Sequence, residues 1–197
     1  KAKDLIKKGY LGKIMYIRSV YGHGGRKGYN KEWRFNKKLS GGGELIDKGS
    51  HLVDLCHYFL GDLKIVASDL NTFFWKTRLE DNCFLILKNS KSSKAFLHSS
   101  CTEWKNKFIF EIFCKYGKIE INGLGRSYGI EKLTLYKMKK KLGKPSMKKW
   151  IYKKDQSWKI EANEFYKDIK FNREPKPGLK EALKNLSIIK QIYNLNY

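Results

Sequence analysis

Apolar side chains recur along the chain with two different periods, and each period predicts a type of secondary structure. Residues 44–60 have the helical spacing, and Gly61 directly after them is a common helix stop signal. Further segments of helical character lie at 1–8, 156–172 and 178–193. Runs rich in β-branched and aromatic residues predict strands at 12–21, 64–75, 80–88, 93–102, 107–115, 117–122, 131–138 and 148–153.

The connections between successive strands after residue 63 are mostly short. Short connections favour antiparallel neighbours, because a parallel pair needs a crossover of a dozen or more residues. Strands in one block with helices at the ends predict an α+β fold, an open and mainly antiparallel sheet with helices on one face. The 197 residues are expected to form a single domain, 1–197.

The segment 108–114 is almost wholly apolar, which affects both faces of the predicted sheet. Alternation puts Phe108 and Phe110 on one face, and Ile109 and Phe113 on the other. Helices can cover only one of these faces. Since large exposed apolar patches mark interfaces, we expect the open face to meet a second subunit in a homo-oligomer.

Composition narrows the class of protein. Apolar residues make up 41% and aromatic residues 14%, enough for a packed core, and no run reaches the roughly 20 apolar residues of a membrane span. Four cysteines without a CxxC pair predict reduced core thiols in a cytoplasmic protein, rather than a disulfide framework or a zinc site. No metal site is predicted.

The formal net charge of +23 raises the alternative of a nucleic-acid-binding domain. However, only six of the 42 basic residues are arginine, and the lysines are spread along the whole length. A solvated, lysine-rich surface is therefore the preferred interpretation, since arginine is the side chain suited to bidentate contacts with bases and phosphates.

The chemistry is expected at the start of the helix 44–60. Asp47 and His51 are four residues apart, so an α-helix places them on one face, where a carboxylate can orient an imidazole that acts as a general base. Gly49 in mid-helix suggests close approach by a ligand or another backbone, and Gly41 to Gly43 would let a substrate reach the helix N-terminus. The alternative is that the Asp–His pair is only a surface contact.

A glycine-punctuated loop between residues 22 and 43 precedes this helix, and loops of that length are often functional. Its aromatic and basic residues could stack on a ring of a substrate or pair with its carboxylate or phosphate, and the candidates are His23, Arg26, Tyr29, Trp33 and Arg34. The alternative is that Trp33 packs on the sheet edge and the arginines are solvated.

The run GGGELIDKGSHLVDLCHYFLGD resembles the second-domain signature of the Gfo/Idh/MocA oxidoreductases, in which D-x-G-x-H follows a glycine-rich entry. Residues 9–14 and the closing segments 161–165 and 177–182 are similar to other parts of that family's second domain. The resemblance implies NAD(P)-dependent oxidation of a hydroxyl of a sugar or nucleotide sugar. It implies that His51 takes the hydroxyl proton, that Asp47 holds the substrate and tunes His51, and that Lys48 meets an anionic group of the substrate.

The family's N-terminal Rossmann domain has no counterpart here. The chain begins with Lys1, and we expect it to be the second domain of a larger protein, inactive alone, with NAD or NADP bound mainly by the missing domain. The glycines between 123 and 129 lack the dinucleotide spacing and are interpreted as a turn. The alternative function is a non-catalytic module that binds or scaffolds a sugar nucleotide.

Overall fold

The computed structural model describes residues 1–139 and 141–196, and it is built around one eight-stranded sheet. The strands are β1 (Ile14–Gly22), β2 (Leu63–Asn71), β3 (Asn82–Asn89), β4 (Lys94–Ser100), β5 (Lys107–Cys114), β6 (Gly117–Asn122), β7 (Glu131–Lys137) and β8 (Ser146–Tyr152). The helices are α1 (Ala2–Lys7), α2 (Lys37–Ser40), α3 (Ser50–Leu60), α4 (Ser157–Lys170) and α5 (Leu179–Asn196). The predicted α+β class is confirmed.

The spatial order of the strands is β2-β3-β4-β1-β5-β6-β7-β8. Neighbours are antiparallel except β1 and β4, which run parallel with Ile17 beside Ala95. The parallel pair forms because the chain leaves β1, crosses one face of the sheet through α3, and returns through two hairpin-linked strands. The candidate site residues lie in that crossover, beside the central strands.

The core lies between the sheet and the helices α3 and α5. Leu52, Val53 and Cys56 from α3 and Ile189 and Ile192 from α5 are buried there. The sheet contributes alternate residues of its central strands, among them Ile17, Leu85, Leu97, Phe110, Ile112 and Ile119. Burial of these side chains stabilises the fold by roughly 1.5–3 kcal/mol for each large one.

The opposite face of the sheet has no helix over it among the described residues. Tyr16 stacks on Phe113 with ring centroids 4.4 Å apart, and Phe96 is 48% exposed. The side chain of Glu111 lies between Arg18 and Lys118, at 2.6 and 2.8 Å. The face therefore carries the aromatic ring of Phe113 that the alternation in 108–114 predicts, together with ion pairs around Glu111 that the prediction of an apolar face did not include.

One strand is shorter than predicted. β2 ends at Asn71 rather than residue 75, because the carboxylate of Asp81 accepts hydrogen bonds from the backbone N–H groups of Phe73, Phe74 and Trp75 at 2.8–3.0 Å. These bonds use the donors that a continuing strand would offer to its neighbour. The chain turns instead, and Trp75 is directed into a small separate core.

That small core fixes the long loop between β1 and α3. Tyr29 is 2% exposed and contacts Trp75 and Phe35 edge-on, and Cys101 is buried beside them. The loop folds locally into 3-10 turns at Tyr29–Lys31 and Trp33–Phe35, followed by α2. The loop is thus held in one place rather than left as an unstructured excursion.

All four cysteines are buried free thiols, as the sequence predicts. Within the described ranges, none of the helices combines the length and the apolar character that crossing a membrane requires.

Candidate functional site

The predicted helix 44–60 begins with a π-helical turn, Leu45–Gly49, and becomes α-helical at Ser50. The turn is held from outside by Glu80, which is fully buried. Its carboxylate accepts from the backbone N–H groups of Gly43 and Leu45, at 3.1 and 3.0 Å, and from the hydroxyl of Tyr193 at 2.8 Å. An anion of the protein itself therefore stabilises the start of this segment.

Glu80 corrects one expectation. The glycines before the helix were predicted to admit substrate to its N-terminus, but a Cβ on Gly43 would lie 2.2 Å from the carbonyl oxygen of Glu80. Gly43 is needed because the loop that carries Glu80 approaches this closely. The positive end of the segment is filled by a protein carboxylate rather than open to a ligand.

Gly49 also meets a neighbour closely, though the neighbour is a side chain rather than a ligand or backbone. A Cβ there would lie 3.1 Å from Oγ of Ser99 on β4 and 3.1 Å from Cδ1 of Leu45. The glycine therefore lets the π-helical turn lie against the sheet.

Asp47 and His51 face the same cleft, which has a volume of about 440 Å³. The cleft is lined by Tyr21, His23, Gly25, Arg26, Tyr29, Arg34, Asp47, Lys48, His51, Asn106, Ser127 and Tyr128. His51 is exposed, and its ring centroid lies 6.2 Å from that of Tyr21. An exposed imidazole and a half-buried carboxylate at one cleft can both reach a bound hydroxyl group.

Lys48, predicted to meet the substrate, has its ammonium group tied to the protein. Its Nζ lies 2.5 Å from Oδ2 of Asp47 and 3.0 Å from Oε2 of Glu44, and the side chain is 6% exposed. Although burial opposes the charge, these carboxylates raise the pKa of Lys48 above its ordinary value. Burial also opposes ionisation of Asp47, but the ammonium of Lys48 holds the pKa of Asp47 below its ordinary value.

Glu44 was not recognised in the sequence as a site residue. Its side chain is 3% exposed, and burial raises its pKa to about 7 despite the nearby ammonium of Lys48. The position four residues before Lys48 was the available signal, because a Glu–Lys pair at that spacing shares one side of a helix. What could not be seen was that this side is buried.

His23 and Tyr29 extend this polar cluster. Nδ1 of His23 accepts from the N–H of Gly25 at 2.9 Å, so a neutral His23 carries its proton on Nε2. That nitrogen lies 3.2 Å from the hydroxyl of Tyr29 and 3.9 Å from Oε1 of Glu44. Burial lowers the pKa of His23 to about 4, which makes the neutral form dominant near pH 7.

The predicted stacking of Tyr29 on a sugar is not available, since its ring is enclosed in the small core. Tyr29 instead supports His23 through its hydroxyl. Trp33 is 54% exposed and does not pack on the sheet edge. It lies under Arg34, whose guanidinium carbon is 4.8 Å from the ring centroid, and both line a smaller pocket of about 170 Å³ beside Asp47.

The two loop arginines differ in how much freedom they keep. Arg26 pairs with Glu32 at 2.8 Å, whereas Arg34 is 3.5 Å from the other oxygen of the same carboxylate. Arg34 lines both pockets, with its side chain 37% exposed. It is the cation better placed to meet an anionic ligand.

His23, Glu44 and Asp47 place three potential metal-ligand atoms within 4.8 Å of one another. The geometry nevertheless disfavours a metal ion. The ammonium of Lys48 lies beside both carboxylates, and Nε2 of His23 carries the proton that a ligating nitrogen must lack.

Asn106, Ser127 and Tyr128 line the cleft without having been recognised in the sequence. Tyr128 lies in the segment between β6 and β7, where the structure confirms a turn closed by a bridge between Arg126 and Gly129. These residues follow β4 and β6, far along the chain from Asp47. No local pattern marks them, because only the sheet topology brings them to the cleft.

Comparison with known proteins agrees with this architecture. The model of the GFO/IDH/MocA C-terminal domain matches residues 1–120. An eight-stranded, mostly antiparallel open sheet backed by helices is the fold of that domain, and the chain belongs to the GFO/IDH/MocA family.

Levoglucosan dehydrogenase from Pseudarthrobacter phenanthrenivorans is 32% identical over 74 residues, which are 36% of this chain and 19% of that protein. A solved levoglucosan dehydrogenase, in complex with NADH and levoglucosan, superposes with a TM-score of 0.85 at 19% identity, over 98% of this chain and 59% of that one. KijD10, a 3-ketoreductase from Actinomadura kijaniata in complex with NADP and TDP-benzene, gives 0.78 at 14% identity, over 98% and 57%. The chain thus spans less than two thirds of these relatives.

Proposed function

We propose that this chain is the substrate-binding domain of an NAD(P)-dependent oxidoreductase that acts on a hydroxyl or ketone of a sugar or nucleotide sugar. The observation that carries the proposal is the shared cleft, into which one helical segment presents Asp47 and His51. The family and the relatives, a sugar dehydrogenase and a ketoreductase that bind NADH and NADP, support the same class of reaction.

In this proposal His51 is the general base. Oxidation of an alcohol removes a proton from oxygen and a hydride from carbon, and the nicotinamide supplies the hydride acceptor. His51 is exposed at the cleft and able to receive the proton, and in the reverse direction it returns it. Asp47 holds the substrate hydroxyl and the imidazole in register, since only one of its oxygens is taken by Lys48.

The glycine-rich segment 123–129 does not offer a dinucleotide-binding loop. The glycines between 123 and 129 join strands β6 and β7 directly, whereas a dinucleotide loop must open a helix whose N-terminus meets the pyrophosphate. We therefore expect NAD or NADP to be held by a nucleotide-binding domain outside this chain, and the chain alone to be inactive.

Substrate class is tested through Arg34, which lines both pockets and lies 3.5 Å from the carboxylate of Glu32. The full-length protein is assayed for reduced nicotinamide with levoglucosan, other neutral sugars and TDP-sugars. Loss of a charge-assisted hydrogen bond in Arg34→Gln should raise KM about tenfold for a nucleotide sugar and leave KM for a neutral sugar unchanged. Arg78→Gln, exposed outside the cleft, is the matched control.

The assay also separates the alternatives. No turnover with any substrate, together with saturable binding of a TDP-sugar, would replace the enzyme by a binding module. Salt-dependent affinity for DNA or RNA without sugar binding would support the nucleic-acid alternative.

The open face of the sheet is, in the same proposal, the contact of a homo-oligomer. Its exposed aromatic rings and the ion pairs around Glu111 offer both apolar area and directional contacts. Light scattering of the full-length protein should give a molar mass of more than one subunit, and the Phe113→Asp variant should have a molar mass closer to that of a monomer. Leu39→Asp, at an exposed apolar position on α2, is the control, and a monomeric wild type would refute this contact.

A further inference from the structure

We propose that Lys48 is a positioning residue. Its buried ammonium group is held by the carboxylate of Glu44, and it in turn fixes the carboxylate of Asp47 at the mouth of the cleft. The inference rests on the proposed function, because it assigns Asp47 a role toward substrate. It replaces the expectation that Lys48 meets an anion of the substrate.

The three charged side chains Glu44, Lys48 and Asp47 lie in a row that leads to the cleft. Nζ of Lys48 bridges Oδ2 of Asp47 at 2.5 Å and Oε2 of Glu44 at 3.0 Å. Exposure of the three side chains rises toward the cleft, from 3% for Glu44 and 6% for Lys48 to 38% for Asp47. The cation is thus nearly enclosed although Lys48 borders the cleft, and Asp47 is the one of the three that is substantially exposed to the solvent there.

Above pH 7, where Glu44 is ionised, two carboxylates and one ammonium leave a net charge of −1, so an anionic substrate group gains little from Lys48. A cation held by two carboxylates is instead suited to fixing their positions. With Oδ2 held, Asp47 keeps its other oxygen to accept a hydrogen bond from a substrate hydroxyl.

Glu44 faces Lys48 and Asp47 on its own segment, and His23, Tyr29 and Cys101 from the loop and from the end of β4. His23 and Tyr29 are neutral near pH 7, so Lys48 is the nearest cation available to Glu44. Because burial raises the pKa of Glu44 to about 7, the anchoring charge is lost as the pH falls through 7.

The test follows Asp47 directly and needs no substrate. Carboxyl ¹³C NMR titration of the protein gives the ionisation midpoint of Asp47 in wild type, in Lys48→Met and in Lys38→Met, an exposed control on α2. Loss of the adjacent cation should raise the midpoint by about one pH unit or more in Lys48→Met only. An unchanged midpoint in that variant would overturn the proposal.

A second variant covers the case in which Lys48→Met fails to fold. Glu44→Gln keeps the lysine but removes its anchor, and it should broaden or shift the Asp47 signal above pH 7 while matching wild type at pH 5, where Glu44 is already protonated. A Glu44→Gln spectrum equal to wild type throughout would show that the anchor has no role.

Kinetics then connect the positioning role to the proposed function. With whichever sugar the full-length protein turns over, Lys48→Met should lower kcat about tenfold or more with a smaller change in KM, and Lys48→Arg should restore part of it, since the lost contact is to a group that orients the reaction. If no sugar is turned over, the proposed function fails, while the NMR titration still decides the role of Lys48.

Discussion

The segment that carries the candidate chemistry has two halves that are stabilised differently. The α-helix from Ser50 onward is held by burial of Leu52, Val53 and Cys56 against the sheet. The π-helical turn before it is held by charges and hydrogen bonds, from Glu80 outside and through Lys48 within. The apolar half thus holds His51 on a platform fixed by burial, whereas the polar half holds Asp47 and Lys48 and depends on partners far away in sequence.

The largest effect is expected where the turn depends on its distant partner. Glu80→Ala leaves the N–H groups of Gly43 and Leu45 and the hydroxyl of Tyr193 without their buried acceptor, so the free energy of unfolding should fall by about 4 kcal/mol. Urea unfolding measures the loss. Leu52→Ala, in the apolar half, should cost about 3 kcal/mol. A loss below about 1 kcal/mol for Glu80→Ala would remove the distinction between the halves.

The second prediction tests the polar half through the pH dependence of the free energy of unfolding. The pKa of Glu44 rises from its ordinary value of 4.5 to about 7 on folding, so between those values the native protein binds more protons than the unfolded chain. Stability from this group is therefore present below pH 4.5 and is lost as the pH rises through 7. Relative to Glu44→Gln, wild type should lose about 3 kcal/mol over that interval, as followed by urea unfolding at each pH. Parallel curves for the two proteins would contradict it.

The smallest effect is expected at Gly49, where the π-helical turn meets the α-helix. Gly49→Ala gains about 1 kcal/mol of helix propensity but places a methyl group 3.1 Å from Ser99 and Leu45, and crowding costs about 1–3 kcal/mol. A net destabilisation of about 1 kcal/mol is expected in thermal unfolding. The double variant Gly49→Ala/Ser99→Gly should recover it, and failure to recover would show that the contact with β4 is not the cause.

The same contrast explains what the sequence could predict. Periodicity predicted α3, α5 and the central strands because each of them buries an apolar face, whereas α4 has no buried residue. The resemblance to the family pointed to Asp47 and His51 as candidate site residues. Neither signal could locate Glu80, which holds the turn from the loop before β3, or Tyr128, which reaches the cleft from a turn after β6. Those contacts depend on the sheet order, and no local pattern encodes a neighbour that arrives from another part of the chain.

Lys48 shows the same limit for charge. Its position beside Asp47 suggested an exposed cation for the substrate, whereas the π-helical turn directs it inward to Glu44. The contacts with Glu44 and Asp47 are the reason why we propose a positioning role for Lys48 instead of a binding role.

We propose that His51 transfers the proton at the cleft, and the decisive measurement is turnover by the full-length His51→Ala variant. His57→Ala is the matched control, since His57 lies on the same helix but bonds the carbonyl oxygen of Gly61 outside the cleft. Loss of a general base predicts a kcat lower by on the order of 10²-fold or more for His51→Ala, with His57→Ala close to wild type. A kcat for His51→Ala within about twofold of wild type would contradict the account.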